Sequence, residues 1–364
     1  MGVLNRPPGR SVLRRIPDAA TGERARCEAP VMHSLATDTA ALGLFARRSD
    51  LRALGHSDHA LRREVERGTI IRVRKGWYSL ASAPADAVRA VRIGGRLTGL
   101  SALATYGIWT PSTRKLHVTV PADARALRRP TDMRARLEVA DGLNCRVTWT
   151  DNTAERRAPY VWRTSVTDAL VHVLCNHDRV TAIVCLDAAL HNMLDKGVGI
   201  VAADLDEIFA RSPQRVQSWR AETDMRAGSG GETEFRLNCR AAGIPFTPQA
   251  FVGGVGWLDG QIGPCTFVEV DGASWHDNPI AFLADRERDI LVADRDGRVL
   301  RFSYPLYRKR WDLCERVMRK ALMDDYRLAK STDFPDFPER MKPRKAFVTS
   351  NLRRSVEADP HELA

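Results

Sequence analysis

The pattern of hydrophobic and polar positions changes several times along this 364-residue chain and divides it into segments. Residues 1–37 show no sustained periodicity and mix proline, glycine and arginine, so we expect them to be disordered. A start of translation at Met32 is an open alternative for this segment. The chain is polar again at its other end, which predicts a polar tail over 327–364. Between these ends the pattern predicts three folded units, over 38–80, 81–228 and 229–326.

The first unit, 38–80, combines the periods of helices and strands. Its pattern predicts three helices followed by two short strands, over 39–47, 50–54, 58–67, 70–73 and 77–80. Ser57 is the expected N-cap of the third helix, in which Leu61 and Val65 would face the core. This order of elements is typical of a winged helix-turn-helix, whose third helix enters the major groove of DNA.

Basic side chains occupy the positions of this unit that would face DNA. We expect the outer face of the third helix to lie near the major groove, and the hairpin tip to lie near phosphates. The DNA-binding candidates are His59, Arg62, Arg63, Arg72, Arg74 and Lys75. The alternative is a small helical module with a solvated basic face.

The second unit, 81–228, is predicted to be a mixed α/β domain. Helices are expected over 97–106, 166–175 and 180–190, and a strand over 115–120. Its histidines include His172, His177 and His191, which form no motif and are interpreted as core or surface residues. We find no catalytic constellation in this part of the sequence.

The third unit, 229–326, carries carboxylates near the ends of predicted strands. The pattern predicts a helix, three strands, a helix, a strand and a helix, over 232–242, 247–252, 257–262, 265–271, 280–295, 298–304 and 306–323. The turn at Gly263-Pro264 lets two of these strands pair antiparallel, which would bring Asp259 and Glu269 to a common site. Glu269 and Asp271 are two residues apart and therefore face the same side of their strand.

Carboxylates held this close repel one another unless a cation or a proton lies between them. Oxygen ligands are those that Mg²⁺ prefers, and a bound divalent ion can activate water and stabilise a phosphoryl transition state. We therefore predict a Mg²⁺ or Mn²⁺ site formed by Asp259, Glu269 and Asp271, supported by Glu234 from the preceding helix. The alternative is that these are ordinary acidic residues of a surface strand.

Charge and composition narrow the choice of partner. The formal net charge is +11, and the segment 41–135 contributes all of this excess. Positive charge gathered in this way favours a polyanionic partner, without separating DNA from RNA. The seven cysteines are odd in number and form no C-x-x-C pair, which is typical of a reducing cytoplasm rather than of a disulfide framework. No apolar run approaches 18 residues, so we expect no membrane span.

Two strings in the third unit, FVEVDGASWHDN (267–278) and ADRERDILVADRDGRVLRFSY (284–304), resemble the PD-(D/E)XK nuclease superfamily. The resemblance is to the branch related to very-short-patch-repair endonucleases and covers about 75 residues. It implies a restriction-endonuclease-like α/β fold that hydrolyses phosphodiester bonds. The residues that match the family pattern are Glu234, Asp259, Glu269, Asp271, His276, Asp285, Arg288 and Asp289. Asp271 stands where this superfamily usually has a lysine, so the role of that lysine would fall to His276 or Arg288.

The N-terminal part resembles a second family. The string SDHALRREVERGTIIRVRKGWYSL (57–80) is similar to the winged-helix domain of AbiEi-type abortive-infection antitoxins. TGLSALATYGIW (98–109) is similar to the domain that follows it in those proteins. The resemblance covers roughly residues 40–120 and implies DNA binding and transcriptional autorepression.

The fold class predicted from these observations is an α/β multidomain protein. It would have an N-terminal winged helix-turn-helix, an α/β middle domain and a C-terminal nuclease-like domain. The leading expectation is a cytoplasmic DNA-binding protein with a metal-dependent endonuclease activity, used in phage defence or DNA repair. The alternative is a non-enzymatic antitoxin-like repressor that uses the nuclease fold as a scaffold and has a cognate toxin as partner.

Overall fold

The computed structural model describes residues 34–138, 144–151, 160–272 and 279–329. In these ranges the chain is a mixed α/β protein with several small sheets. Residues 1–33 of the segment predicted to be disordered, the candidate His276 and the tail beyond residue 329 lie outside the described residues. The predicted disorder was wrong for the end of that segment, because 35–37 begin a helix that Ser34 caps. No helix in the described ranges is both long and apolar enough to cross a membrane.

The first unit packs three helices against a three-stranded antiparallel sheet of order β1-β3-β2. Its elements are α1 (Leu35–Ala41), β1 (Phe45–Arg47), α2 (Arg48–Ala53), α3 (Asp58–Glu66), β2 (Ile70–Arg74) and β3 (Trp77–Leu80). The hydroxyl of Ser57 accepts a hydrogen bond from the Ala60 amide at 3.1 Å, which confirms the predicted N-cap. Leu61 is fully buried and Val65 packs against the same cluster, as their spacing predicted.

The predicted helix over 39–47 was wrong in its second half. The helix ends at Ala41, and 45–47 form a strand that pairs with β3. Gly43 and Leu44 have φ angles of 84° and 74°, a left-handed backbone that an α-helix cannot continue. Phe45 and Ala46 are thereby turned into the core.

The second unit surrounds a small sheet of order β4-β5-β6, in which β5 and β6 are parallel. Its elements are α4 (Ala85–Ile93), β4 (Arg96–Leu97), α5 (Gly99–Thr105), β5 (Leu116–Pro121), β6 (Cys145–Thr150), α6 (Val166–Asn176), α7 (Arg179–Lys196), α8 (Asp204–Ala210) and a 3₁₀ helix (Gln214–Glu222). The helix predicted over 97–106 begins later, at Gly99. Leu97 instead extends the sheet, because its amide donates to the Trp162 carbonyl and its carbonyl accepts from the Thr164 amide.

The third unit is built on a four-stranded sheet of order β10-β9-β8-β7. Its elements are α9 (Gly230–Ala241), β7 (Thr247–Val252), β8 (Gly256–Gln261), β9 (Thr266–Asp271), α10 (Pro279–Ala293), β10 (Arg298–Ser303), α11 (Tyr304–Lys309) and α12 (Trp311–Ala329). The β9–β10 pair is parallel and the other pairs are antiparallel. One buried cluster, around Phe235 and Val268, lies between the sheet and the helices α9 and α12. A second cluster, around Leu258 and Phe267, packs against Val292 of α10.

The single helix predicted over 306–323 is two helices, broken at Arg310, whose φ and ψ of −136° and 48° are not helical. The second helix also continues past the predicted helix end at 323, as far as Ala329. Asp325 explains this extension, because its fully buried carboxylate accepts hydrogen bonds from the Cys265 amide at 3.0 Å and the Thr266 hydroxyl at 3.1 Å. Arg298 adds an ion pair at 2.7 Å. This end of α12 is therefore tied to the start of β9.

Candidate active site

The antiparallel pairing of β8 with β9 brings two carboxylates together. Gly260 lies opposite Val268 and Gln261 opposite Phe267, and the same register continued by one residue sets Asp259 opposite Glu269. Asp259 is held in place by the Val270 amide, which donates to its Oδ2 at 2.7 Å. The predicted pairing of these strands is confirmed.

Two arginines hold positive charge beside these carboxylates. Arg288 of α10 donates to Glu269 Oε1 at 3.1 Å, to Asp285 Oδ1 at 3.2 Å and to the Trp257 carbonyl. Arg301 of β10 lies opposite Glu269 in the parallel register and bonds to Asp289 at 2.8 Å and Asp271 at 3.3 Å. Sequence reasoning named Arg288 but missed Arg301. Pairing the predicted V-L-R-F strand in parallel with β9 would have placed Arg301 beside Glu269 and so revealed it.

Burial and mutual repulsion raise the pKa values of the carboxyl groups in this cluster. Burial, and then the charge of Asp259, raise the pKa of Glu269 to about 8. Burial, and then the charge of Glu232, raise the pKa of Asp259 to about 7. The pKa of Glu232 is also raised, mainly by burial and in part by Glu269. Arg288 opposes the shifts of Asp259 and Glu269 without cancelling them. The carboxylates therefore carry more negative charge than their protein neighbours compensate, and a cation or a proton is favoured among them.

The carboxylate that α9 contributes to this cluster is that of Glu232. Its side chain is buried, accepts from the Gly228 amide at 2.9 Å and from the Gln249 side chain at 3.0 Å, and interacts electrostatically with Glu269. The predicted Glu234 points elsewhere and lies 3.3 Å from Arg308. Two residues along a helix correspond to about 200° of rotation, so both cannot face one site. The spacing Ser229-x-x-Glu232, typical of a helix N-terminus, was the available signal for Glu232.

The start of α9 is anchored to the second unit, and this fixes Glu232. Asp187 of α7 is fully buried, pairs with Arg236 at 2.8 Å and accepts from the Thr233 hydroxyl at 3.0 Å. The ring of Trp109 packs onto Gly230, where any Cβ would collide with it. The second unit thus acts as a support for the carboxylate cluster.

The chemistry of the cluster fits a hard divalent cation, because its oxygen donors are carboxylates and Asp285 Oδ2 is a buried oxygen that finds no hydrogen-bond partner in the described part of the chain. The positions of these side chains fit a bound metal ion less well than their chemistry does. Among the described residues, no group of three or more His, Cys, Asp or Glu side chains is placed to hold a metal ion. Glu269 and Asp271 are bonded to arginines, so cation binding there would require these ion pairs to rearrange.

The DNA-binding candidates of the first unit lie on its surface, with one exception. His59, Arg62 and Arg63 are exposed on α3, and Arg72 and Lys75 are exposed at the hairpin. Arg74 is half-buried, and its guanidinium lies against Gly94 rather than at the hairpin surface.

A histidine cluster in the second unit escaped the sequence reasoning. The His117 ring lies 6.0 Å from that of His172 and 5.1 Å from that of His177, between ring centroids. Burial lowers the pKa of His117 to about 4 and that of His172 to about 3. His117 comes from β5, far away in sequence, which is why no motif revealed the cluster.

A scan against protein-family models finds no match to this chain. A search of curated proteins also finds none.

Proposed function

We propose that this protein binds DNA through its first unit and hydrolyses phosphodiester bonds with a divalent cation at the carboxylate cluster of its third unit. The proposal includes a winged helix-turn-helix over 38–80 and a restriction-endonuclease-like fold over 229–326. It also includes a cytoplasmic location. The observation that carries it is the convergence of Glu232, Asp259 and Glu269 from one helix and two strands onto a buried site with excess negative charge.

The residues proposed to hold Mg²⁺ or Mn²⁺ are Asp259, Glu269 and Asp271. A divalent cation bound there would polarise the phosphodiester and lower the pKa of a water molecule. Glu232, held by Gln249 and the Gly228 amide, adds a further carboxylate close to Asp259. Arg288 is the cation expected to interact with the phosphate, because it is partly exposed and already borders Glu269. His276 remains a candidate proton donor or phosphate contact from the sequence alone.

The DNA interface is supported by the exposed basic residues of α3 and of the β2–β3 hairpin. The α3 surface carries Arg62 and Arg63, and the hairpin tip carries Lys75. A helix capped by Ser57 and held by Leu61 presents this face rigidly. Such a face suits the major groove, with the hairpin contacting the backbone.

The experiment is cleavage of supercoiled plasmid and of single-stranded DNA in Mg²⁺ or Mn²⁺. The full chain is compared with Asp259→Asn and with the control Glu287→Gln, whose side chain is exposed on α10. We expect the full chain and the control to cut, and Asp259→Asn to lose at least a hundredfold in rate while DNA binding is retained. A full chain that cuts neither substrate with either cation would refute the enzymatic proposal.

A second candidate function is an antitoxin-like repressor that uses the third unit as a scaffold, with a cognate toxin as partner. The ion pairs of Glu269 with Arg288 and of Asp271 with Arg301 favour it, because they already satisfy part of the carboxylate charge. This candidate predicts salt-sensitive binding to the protein's own promoter that Arg62→Gln weakens and Glu269→Gln leaves unchanged.

A further inference from the structure

A cavity of about 270 Å³ lies between the β2–β3 hairpin and the sheet of the second unit, separate from the carboxylate cluster. Three arginines from three different elements line it, Arg47, Arg74 and Arg96. Its floor includes the carboxyl ends of the parallel strands β5 and β6, at Pro121 and Thr150. Crevices at the carboxyl ends of parallel strands are a common position for ligands in α/β proteins.

Arg74 is the most informative residue of this cavity. Its guanidinium is half-buried, and among the residues that the structure describes it makes no ion pair and no hydrogen bond. Burial, and then the charge of Arg128, lower its pKa, and no carboxylate within the described ranges opposes this shift. Partly buried cations are normally paired, because desolvating an unpaired charge is costly. Arg74 therefore offers this cavity a positive charge that an anionic ligand could pair with.

The backbone around Arg74 is shaped to admit its guanidinium. Gly94, which ends α4 with a φ angle of 114°, leaves open the space where a Cβ would collide with Arg74 Nη1. At Gly95 a Cβ would collide with the carbonyl oxygen of Thr119. Two consecutive glycines thus let the strand end approach the hairpin and keep the guanidinium in the cavity.

The rest of the lining distinguishes between anions. Asp123 and Asp151 are exposed carboxylates of the lining and would repel a bare anion, but they can accept hydrogen bonds from hydroxyl or amino groups. Trp77 adds an aromatic face, with the Arg47 guanidinium 5.1 Å from its ring centroid. A nucleoside phosphate matches this lining. Its phosphate would contact the arginines, its sugar hydroxyl groups the carboxylates, and its base the tryptophan ring.

We infer that this cavity binds a free nucleoside phosphate, with the phosphate on Arg74 and the sugar or base toward Asp123 and Asp151. Its volume is slightly below the roughly 300–1,000 Å³ usual for ligand pockets, which favours a mononucleotide over a dinucleotide. Arg74 therefore serves this site and not the DNA interface to which the hairpin sequence assigned it. The other source of the same chemistry is a backbone phosphate of bound DNA.

The test is isothermal titration calorimetry of the full chain with ADP, with AMP and with inorganic phosphate, in the absence of DNA. The variant is Arg74→Met, which removes the charge and keeps most of the side-chain length. The matched control is Arg72→Gln, an exposed residue of the same strand that does not line the cavity. We expect AMP or ADP to bind, Arg74→Met to weaken binding at least tenfold, and Arg72→Gln to change it less than twofold.

Ala122→Asp provides a second variant if Arg74→Met fails to fold. Ala122 is exposed at the cavity wall, and a carboxylate there should weaken nucleotide binding without removing a partner. The inference is overturned if neither nucleotide binds, if Arg72→Gln weakens binding as much as Arg74→Met, or if phosphate alone binds as tightly as ADP. It is also overturned if Arg74→Met weakens DNA binding tenfold while nucleotides give no heat, which would identify a DNA phosphate as the ligand.

Discussion

The substitution Glu269→Gln should stabilise the fold at alkaline pH while it removes the proposed activity. Glutamine keeps the shape of the side chain and removes a charge that burial and Asp259 both oppose. The pKa of this carboxyl lies at about 8 in the folded chain, against an ordinary value of 4.5. Between these values the folded state holds a proton that the unfolded state has lost, so wild-type stability falls as pH rises from 4.5 through 8.

The size of the effect follows from the same values. Each pH unit between 4.5 and about 8 costs the folded state at most ~1.4 kcal/mol, or ~5 kcal/mol in all. Asp259 shares this cost, and the ion pair with Arg288 is lost in the variant. We therefore expect Glu269→Gln to gain roughly 2 kcal/mol over wild type at pH 8.5.

The assay is urea denaturation at pH 5 and pH 8.5 in the presence of a chelator, monitored by tryptophan fluorescence. Glu287→Gln, on the exposed face of α10, is the control and should follow wild type at both values. The advantage of Glu269→Gln should be large at pH 8.5 and mostly gone at pH 5. Equal stability of variant and wild type at pH 8.5, or a less stable variant, would refute the reasoning. Added Mn²⁺ should restore part of the wild-type stability at pH 8.5 and leave Glu269→Gln unchanged.

Further predictions concern the DNA interface, the histidine cluster and the end of α12. Lys75→Gln should make the fall of log affinity with log salt shallower by about 1 in DNA titrations, because one phosphate contact is lost. Arg62→Gln should reduce the free-energy difference between binding to specific and to other DNA sites by ~1–3 kcal/mol. Burial lowers the pKa of His172 to about 3, so the free energy of unfolding should fall by on the order of 3 kcal/mol as pH drops from 6.5 through 3. In acid denaturation, His172→Gln should reduce this loss of stability. Asp325→Ala should cost roughly 3 kcal/mol in urea denaturation, because it leaves the Cys265 amide and the Thr266 hydroxyl without their acceptor and removes one of the two ion pairs of Arg298. Unchanged denaturation of Asp325→Ala would show that α12 is not anchored there.

Local patterns predicted much of the third unit. Alternation fixed the side of β9 on which Glu269 and Asp271 lie, and Gly263-Pro264 indicated how β8 would pair with it. Strands defined by alternation and a turn depend on near neighbours, which the sequence shows directly. For the same reason the capping hydroxyl of Ser57 was predicted correctly.

Features that depend on distant segments were missed. Whether Glu232 or Glu234 joins the cluster depends on which face of α9 packs on the sheet. That face is set by contacts of α9 with Asp187 and Trp109, which belong to the second unit. The left-handed backbone of Leu44 is rare outside glycine and asparagine, so nothing local predicted the strand after it. The inward direction of Arg74 depends on space left by Gly94.

The most direct test of the carboxylate site compares plasmid cleavage by Glu232→Gln and Glu234→Gln in Mn²⁺. The two variants make the same chemical change two residues apart on α9, one beside Asp259 and the other beside Arg308. We predict that Glu232→Gln loses at least a hundredfold in cleavage rate and that Glu234→Gln stays within about threefold of wild type. Cleavage that survives Glu232→Gln, or that is lost only in Glu234→Gln, would contradict the site described here.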